Sequence, residues 1–206
     1  MFHVEHGSVG RDVSRETLAV LDLFAALLLR WNATVNLVAR ADEPLLWERH
    51  IGDSLQLIPL MEPYPERAID LGSGAGFPGL ILAIATGVPF DLIEADQRKA
   101  AFLREAARIT DAPVRIHSLR TEATKLPRAP LVTARAVAAL PKLLALAAPL
   151  LTPGGICLFL KGANVDIELT HAATQWQMHA DGVPSRTAPG ARILRITGLS
   201  RVARSA

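Results

Sequence analysis

The 206-residue chain has a single cysteine, Cys157, which excludes a disulfide framework and a thiolate zinc cluster and fits a reducing compartment. Aromatic residues make up only 5%, so stacking on rings cannot dominate any recognition of nucleic acid. Long apolar runs are missing too. The greasiest stretches, Leu18–Leu29 and Val137–Leu151, are broken by Asp22 and by Pro141, Lys142 and Pro149, and neither reaches the ~18 unbroken residues of a membrane span. The opening Met1-Phe2-His3-Val4-Glu5-His6 has no basic leader followed by an apolar segment, so no signal peptide is expected, and the expectation is a cytoplasmic protein away from membranes. His3 and His6, at a chain terminus, do not by themselves make a metal set, and no metal is expected. What remains is 50% hydrophobic and 20% charged, enough apolar material for one core plus an extension.

The formal net charge of +2 conceals a polarity. Residues 1–96 carry 14 acidic and 6 basic side chains, whereas residues 97–206 carry 6 acidic and 16 basic ones. Residues 97–142 hold ten of those cations, and residues 182–206 hold five arginines (186, 192, 195, 201 and 204) and no acid. Such a distribution suits a polyanion, whose counterions are released on binding, although charge runs also occur on plain solvated faces.

Ser14 is placed to cap a helix over 15–31, with Glu16 in its first turn and Leu18, Leu21, Ala25 and Leu28 along one stripe. A second helix is expected over 44–60, before the boundary marked by Pro59, Pro63 and Pro65. From Arg67 onward short apolar runs alternate with helical ones: strands at 68–71, 90–94, 114–117, 131–134 and 156–160, and helices at 77–86, 98–109, 140–151 and 165–178. Two last strands, near 183–187 and 192–197, would close as a hairpin through Ala188-Pro189-Gly190. This alternation predicts an α/β protein with a doubly wound, mostly parallel, Rossmann-like sheet (65–206) carrying an N-terminal helical extension (1–64). Ligands of such sheets sit at the carboxyl ends of the strands, where strand order reverses.

The most informative stretch is Asp70-Leu71-Gly72-Ser73-Gly74-Ala75-Gly76-Phe77-Pro78-Gly79. Gly74-x-Gly76-x-x-Gly79 matches the dinucleotide fingerprint, in which a helix N-terminus holds a pyrophosphate. The competing pattern is acid-apolar-Gly-x-Gly-x-Gly, in which a carboxylate at Asp70 would repel a pyrophosphate but suits a cation such as S-adenosylmethionine. Glu94, ending the next strand, would accept bonds from ribose hydroxyls in either case. Asp70 therefore favours the methyl donor, with an NAD-binding module as the alternative.

Taken together, Leu27-Leu28-x-x-Trp31-Asn32-x-x-x-Asn36-Leu37, Arg49-His50-x-x-Asp53-Ser54-Leu55, Asp70–Gly79, Arg98-Lys99-x-x-Phe102-Leu103, Ala134-Arg135-Ala136 and Leu160-Lys161-Gly162 resemble, in order and spacing, the RsmG (GidB) family of class I methyltransferases. The likeness runs over roughly residues 18–170. It implies S-adenosylmethionine as cofactor and methylation of guanine N7 in the helix-18 loop of 16S ribosomal RNA, acting on that RNA or the small ribosomal subunit. A monomer is expected. By the same resemblance, Gly72 and Phe77 fall at the methionine and adenosine end of the cofactor, Thr121 and Glu122 flank the adenine, and Arg135 lines the site. Thr121 would make its contact through backbone atoms.

Guanine N7 offers an in-plane lone pair and no proton, so the chemistry calls for alignment and exclusion of water rather than a general base. No Asp/Asn-Pro-Pro-aromatic run of an exocyclic amine methylase follows the fourth strand, where Thr133-Ala134-Arg135-Ala136 stands instead. Cys157 lies inside the apolar run Ile156–Phe159 and reads as a core residue, so no catalytic acid, base or nucleophile is assigned. Arg135 and Lys161, just beyond strand ends, are candidates to hold RNA phosphates. A cation at 135 beside a sulfonium needs a carboxylate partner, with Asp70 or the cofactor's own carboxylate in view. Asn36, His50 and Asp53 either rim the RNA cleft or satisfy backbone groups where the N-terminal helices dock. Trp31 and Trp47 read as core anchors. A methyltransferase for a small molecule and a non-catalytic RNA-binding protein remain the other readings.

Overall fold

The computed structural model describes residues 13–202, so the readings made on Met1–His6 and on Arg204 lie outside the described residues. Helix α1 (Arg15–Asn32) starts where expected, with the Ser14 hydroxyl accepting the Thr17 N–H at 3.2 Å. Leu21, Phe24, Leu27 and Leu28 form its buried stripe. Its last residue, Asn32, shapes the chain that follows. The Asn32 Oδ1 accepts from the backbone of Leu37 (2.8 Å) and Val38 (3.0 Å), while its Nδ2 donates to the Val38 carbonyl (3.1 Å) and to Glu43 (2.6 Å).

The continuous helix expected over 44–60 does not form. A 3-10 turn (Arg40–Leu45), a wide π-type turn (Trp47–Gly52), the single turn α2 (Asp53–Leu55) and a 3-10 turn (Ile58–Leu60) take its place. Pro59 lacks the N–H that a helical ladder needs near its end, and Ser54 donates its hydroxyl back to the His50 carbonyl at 2.8 Å, a bond that bends helices.

The sheet contains β1 (Ala68–Leu71), β2 (Phe90–Ile93), β3 (Val114–His117), β4 (Ala129–Arg135), β5 (Leu151–Lys161), β6 (Trp176–Pro184) and β7 (Arg192–Arg201) in the order β3-β2-β1-β4-β5-β7-β6. The first five strands are parallel, and β7 enters antiparallel between β5 and β6. Helices α3 (Gly79–Thr86), α4 (Gln97–Thr110), α5 (Leu140–Ala147) and α6 (Val165–Ala173) complete the doubly wound arrangement. Strand order reverses between β1 and β4, which puts the turns after those two strands at the ligand-binding end.

Beyond shifts of a few residues at element ends, three regions differ from the sequence reading. Helix α6 stops at Ala173, and β6 begins at Trp176, because Trp176, Met178 and Ala180 turn toward the core with period two rather than 3.6. The segment Thr152-Pro153-Gly154-Gly155 is a bulge within β5, where pairing slips from Ala129 opposite Leu151 to Leu131 opposite Ile156. Helix α5 ends in a 3-10 turn, Ala148–Leu150, around Pro149.

Apolar side chains cover both faces of the sheet. On one, Leu21, Phe24 and Phe102 pack over Phe90, Leu92 and Leu158, so the N-terminal segment shares a core with the strands. On the other, Leu143 and Leu144 of α5 pack over Ile69, Val132 and Phe159. Cys157 belongs to this second cluster, and burial pushes its thiol up to about 12, which leaves a small core residue and no thiolate nucleophile. Trp31 meets Phe102 edge-on at 5.8 Å, and Trp47 packs against the first cluster, as anchors do.

Candidate active site

The bend after β1 requires glycine for conformation. Gly72, Gly74 and Gly76 have φ values of +59°, +56° and +95°, in the region that side chains rarely adopt. Gly79 is required for space, since a Cβ there would stand 2.5 Å from the Cβ of Asp70. A Cβ at Gly72 would meet Val137 Cγ2 at 2.8 Å, which places the loop after β4 directly against the bend. A Cβ at Gly74 would meet nothing closer than the Gly72 carbonyl at 3.8 Å, so the crest of the bend is open to a ligand.

Asp70 lies wholly buried beneath this bend. Its Oδ1 accepts the Thr133 hydroxyl at 2.6 Å, while Oδ2 has no partner at bonding distance. Desolvation pushes the carboxyl up to about 6 against the pull of Thr133, Ser73, the Gly79 N–H and the Arg135 charge. The N-terminus of α3, where a pyrophosphate would have to sit, thus already has a carboxylate packed under it. Glu94 stitches two strand ends together: Oε2 accepts the Gly74 N–H at 2.8 Å and Oε1 accepts the Asp96 N–H at 2.7 Å. Each oxygen keeps a second lone pair, so the acid holds the bend while remaining able to accept from a ligand hydroxyl.

The other wall comes from the N-terminal turns and β4. Phe77 is sandwiched in the core by an edge contact with Phe24 at 5.7 Å and a stacking contact with His50 at 5.2 Å and 23°. The Arg135 guanidinium lies 4.8 Å from the centre of the Phe77 ring. Burial, then the Arg135 charge, pull His50 down to about 4, so its ring is neutral at pH 7. Arg135 does find a carboxylate, but neither of those anticipated: its Nη1 is 3.5 Å from Asp53 Oδ2 and also donates to the Arg49 carbonyl at 3.3 Å.

The structure therefore gathers Asp70, Gly72, Gly74, Gly76, Phe77, Glu94, His50, Asp53 and Arg135 at the carboxyl ends of β1, β2 and β4. Thr121 and Glu122 form a 3-10 turn (Thr121–Ala123) following β3, at the same end of the sheet. Asn36 is exposed, and the backbone-satisfying role considered for it is carried out by Asn32. Asp53 likewise bonds side chains rather than backbone groups. Lys161 turns inward, with Nζ 2.6 Å from Glu168 and donating to the Ala138 carbonyl at 3.1 Å. Sequence reasoning passed over Thr133, Val137 and Gln56; only the position of Thr133, on the strand beside Asp70, offered a signal. Among the described residues no cluster of His, Cys, Asp and Glu could hold a metal, and no helix is long and apolar enough to cross a membrane.

Residues 17–191 match the family described as GidB, rRNA small subunit methyltransferase G. The chain belongs to this family. It is 52% identical to the ribosomal RNA small subunit methyltransferase G of Granulibacter bethesdensis, over 98% of this chain and 100% of that one. It is 54% identical to the protein of the same name from Gluconobacter oxydans, over 92% and 98%. Solved structures reproduce the fold at low identity. An O-methyltransferase from Bacillus cereus in complex with SAH superposes with a TM-score of 0.60 at 14% identity, over 85% of this chain and 91% of that one. A tRNA (m1A58) methyltransferase from Aquifex aeolicus gives 0.53 at 14%, over 73% and 68%. Family membership makes the chain an rRNA methyltransferase of the small subunit and sets aside the dinucleotide module that the glycine spacing alone had left open.

Proposed function

We propose that this chain transfers a methyl group from S-adenosylmethionine to N7 of a guanine in the helix-18 loop of 16S ribosomal RNA, working as a cytoplasmic monomer. The observation that carries the cofactor is the open bend over Asp70. Three left-handed glycines bring backbone within reach of a ligand, and a buried carboxylate with one unpartnered oxygen favours positive charge above it. A bound methyl donor would supply an electrophilic methyl on sulfur. Gly72, Gly74 and Phe77 would hold its methionine and adenosine ends, Glu94 the ribose, and Thr121 and Glu122 the adenine.

The chain's own contribution is placement. Guanine N7 attacks with a lone pair and loses no proton, so no side chain has to accept one, and the neutral His50 ring serves as a wall. Arg135, held over Phe77 by Asp53, presents its remaining donors at the mouth of the cleft, where a phosphate or the guanine edge would approach. Asn36, which is exposed, would be free to meet the RNA on approach; Lys161 contributes by fixing the loop after β4 through Ala138. The basic residues of 97–142 would meet the RNA backbone, and binding would weaken steeply with added salt.

The test is direct. Small-subunit RNA from cells lacking this protein is incubated with the chain and S-adenosylmethionine, and N7-methylguanine is mapped by reduction and aniline scission. One new scission site in the helix-18 loop is expected. A methyl group found on another atom or another RNA would overturn the assignment.

A further inference from the structure

The tip of the β6–β7 hairpin reaches across the molecule to the N-terminal turns. Thr187 donates its hydroxyl to Asp53 Oδ1 at 2.7 Å, Gln56 Nε2 donates to the same oxygen at 2.7 Å, and the Ser185 hydroxyl lies 3.4 Å from it. Gln56, itself buried, also accepts the Arg186 N–H at 2.9 Å, so the tip is tied by backbone as well as by hydroxyls. Ser185 accepts the N–H groups of Thr187 and Ala188, each at 3.2 Å, which fixes the local turn. Neutral donors thus occupy one oxygen of Asp53 from one side. The other oxygen is left to face Arg135 at 3.5 Å, with the guanidinium in turn lying 4.8 Å from the Phe77 ring centre.

A carboxylate can rotate about its last bond. Three donors on Oδ1 remove that freedom and aim Oδ2 at one place. We infer that Thr187, with Ser185 and Gln56, is a positioning residue for methyl transfer: the hairpin tip fixes Asp53, and Asp53 fixes the height of Arg135 over Phe77 at the edge of the glycine bend. The inference rests on the reading above in assigning Arg135 to the cleft. It gives the antiparallel end of the sheet a task in catalysis, although strands β5 and β7 lie between β6 and the strands that bear the bend and Arg135.

The test is a mutant cycle on methyl transfer to small-subunit RNA. Thr187→Val keeps the shape and deletes the donor, Thr187→Ser restores it, and Arg135→Gln removes the group said to be positioned. Thr187→Val should lower kcat/KM about tenfold, with Thr187→Ser within about twofold of the unchanged chain. In the Arg135→Gln background, Thr187→Val should change the rate less than about twofold, because its effect runs through Arg135. A full loss in that background, or no loss in the parent, overturns the inference. A second readout needs no RNA. The guanidinium proton signals assigned by their disappearance in Arg135→Gln should exchange faster with solvent in Thr187→Val and not in Thr187→Ser. Unchanged exchange overturns the inference too. Absence of any methyl transfer by the unchanged chain would count against the proposed function, leaving the exchange measurement to decide this point.

Discussion

Asp70 and Asp91 sit on adjacent strands of the sheet interior, one register position apart, and are held in opposite ways. Asp91 is closed. Its Oδ2 takes Arg67 Nη1 at 2.9 Å and its Oδ1 takes His117 Nε2 at 2.7 Å, and Arg67 extends the tie to the carbonyls of Pro127 (2.6 Å) and Arg128 (2.7 Å) ahead of β4. Asp70 is open: one neutral donor, one oxygen without a partner, and a carboxyl pushed up to about 6. Full pairing of a buried acid marks a strut, whereas half-pairing beneath an open bend stores an interaction that a ligand can complete.

Removing each acid should break the molecule differently. Asp91→Ala should cost on the order of 3 kcal/mol of stability, since it strands Arg67 and releases the loop ahead of β4. Denaturant unfolding reads the loss, and activity per folded molecule at low temperature should be kept. A variant as stable as its parent would remove the strut reading. Asp70→Asn should do the reverse. The raised carboxyl stabilises the fold only while protonated, a contribution present below the ordinary value of 3.8 and lost as pH rises through about 6. Deleting the charge should therefore stabilise the chain at pH 7.5 by roughly 3 kcal/mol, with the gain over the parent growing between pH 4 and pH 6. Cofactor affinity should nevertheless fall about tenfold in calorimetry. In the parent, affinity should weaken as pH drops through about 6, and in the variant that dependence should vanish. An Asp70→Asn chain that binds S-adenosylmethionine as its parent does would place the attraction elsewhere.

How much of this was legible in the sequence follows from the range of the forces involved. The glycine bend, the capped start of α1 and the alternation of strands and helices from β1 to β5 are written in neighbouring residues and stand as read, whereas the helix expected to reach 178 gives way to β6 at Trp176. The helix expected over 44–60 broke because the Ser54 back-bond and the burial of Ile51, Leu55 and Leu57 against the sheet outweighed local periodicity. Arg135 was seen to need a carboxylate, but Asp53 lies 82 residues away and reaches it through a turn whose shape no local pattern announces. The Gln56–Ser185–Thr187 cluster spans about 130 residues and uses side chains that, taken singly, are ordinary turn residues. Asp91 in a strand otherwise apolar was a visible irregularity; its meaning depended on Arg67 and His117 arriving from either side.

His50 offers the finest probe of the open side, because its titration opposes that of Asp70 over nearly the same range. Burial and the Arg135 charge hold its pKa near 4 in place of 6.5, so the unfolded chain takes up a proton that the folded chain refuses. That contribution to stability is present above pH 6.5 and is lost as pH falls through about 4, while the Asp70 contribution grows as pH falls from about 6 to 3.8. Between pH 4 and 6 the two slopes oppose each other and nearly cancel, because each amounts to close to one proton. His50→Gln removes one slope and uncovers the other. Its stability relative to the parent should improve as pH is lowered from 6.5 to 4, read as a melting temperature that falls less on acidification than the parent's. The Asp70→Asn chain should show the mirror image, melting lower and lower relative to its own value at pH 7 as His50 is left unopposed. If the His50→Gln difference were flat across that range, the ring would have to be charged in the folded chain, and the stack of His50, Phe77 and Arg135 would carry two cations rather than one.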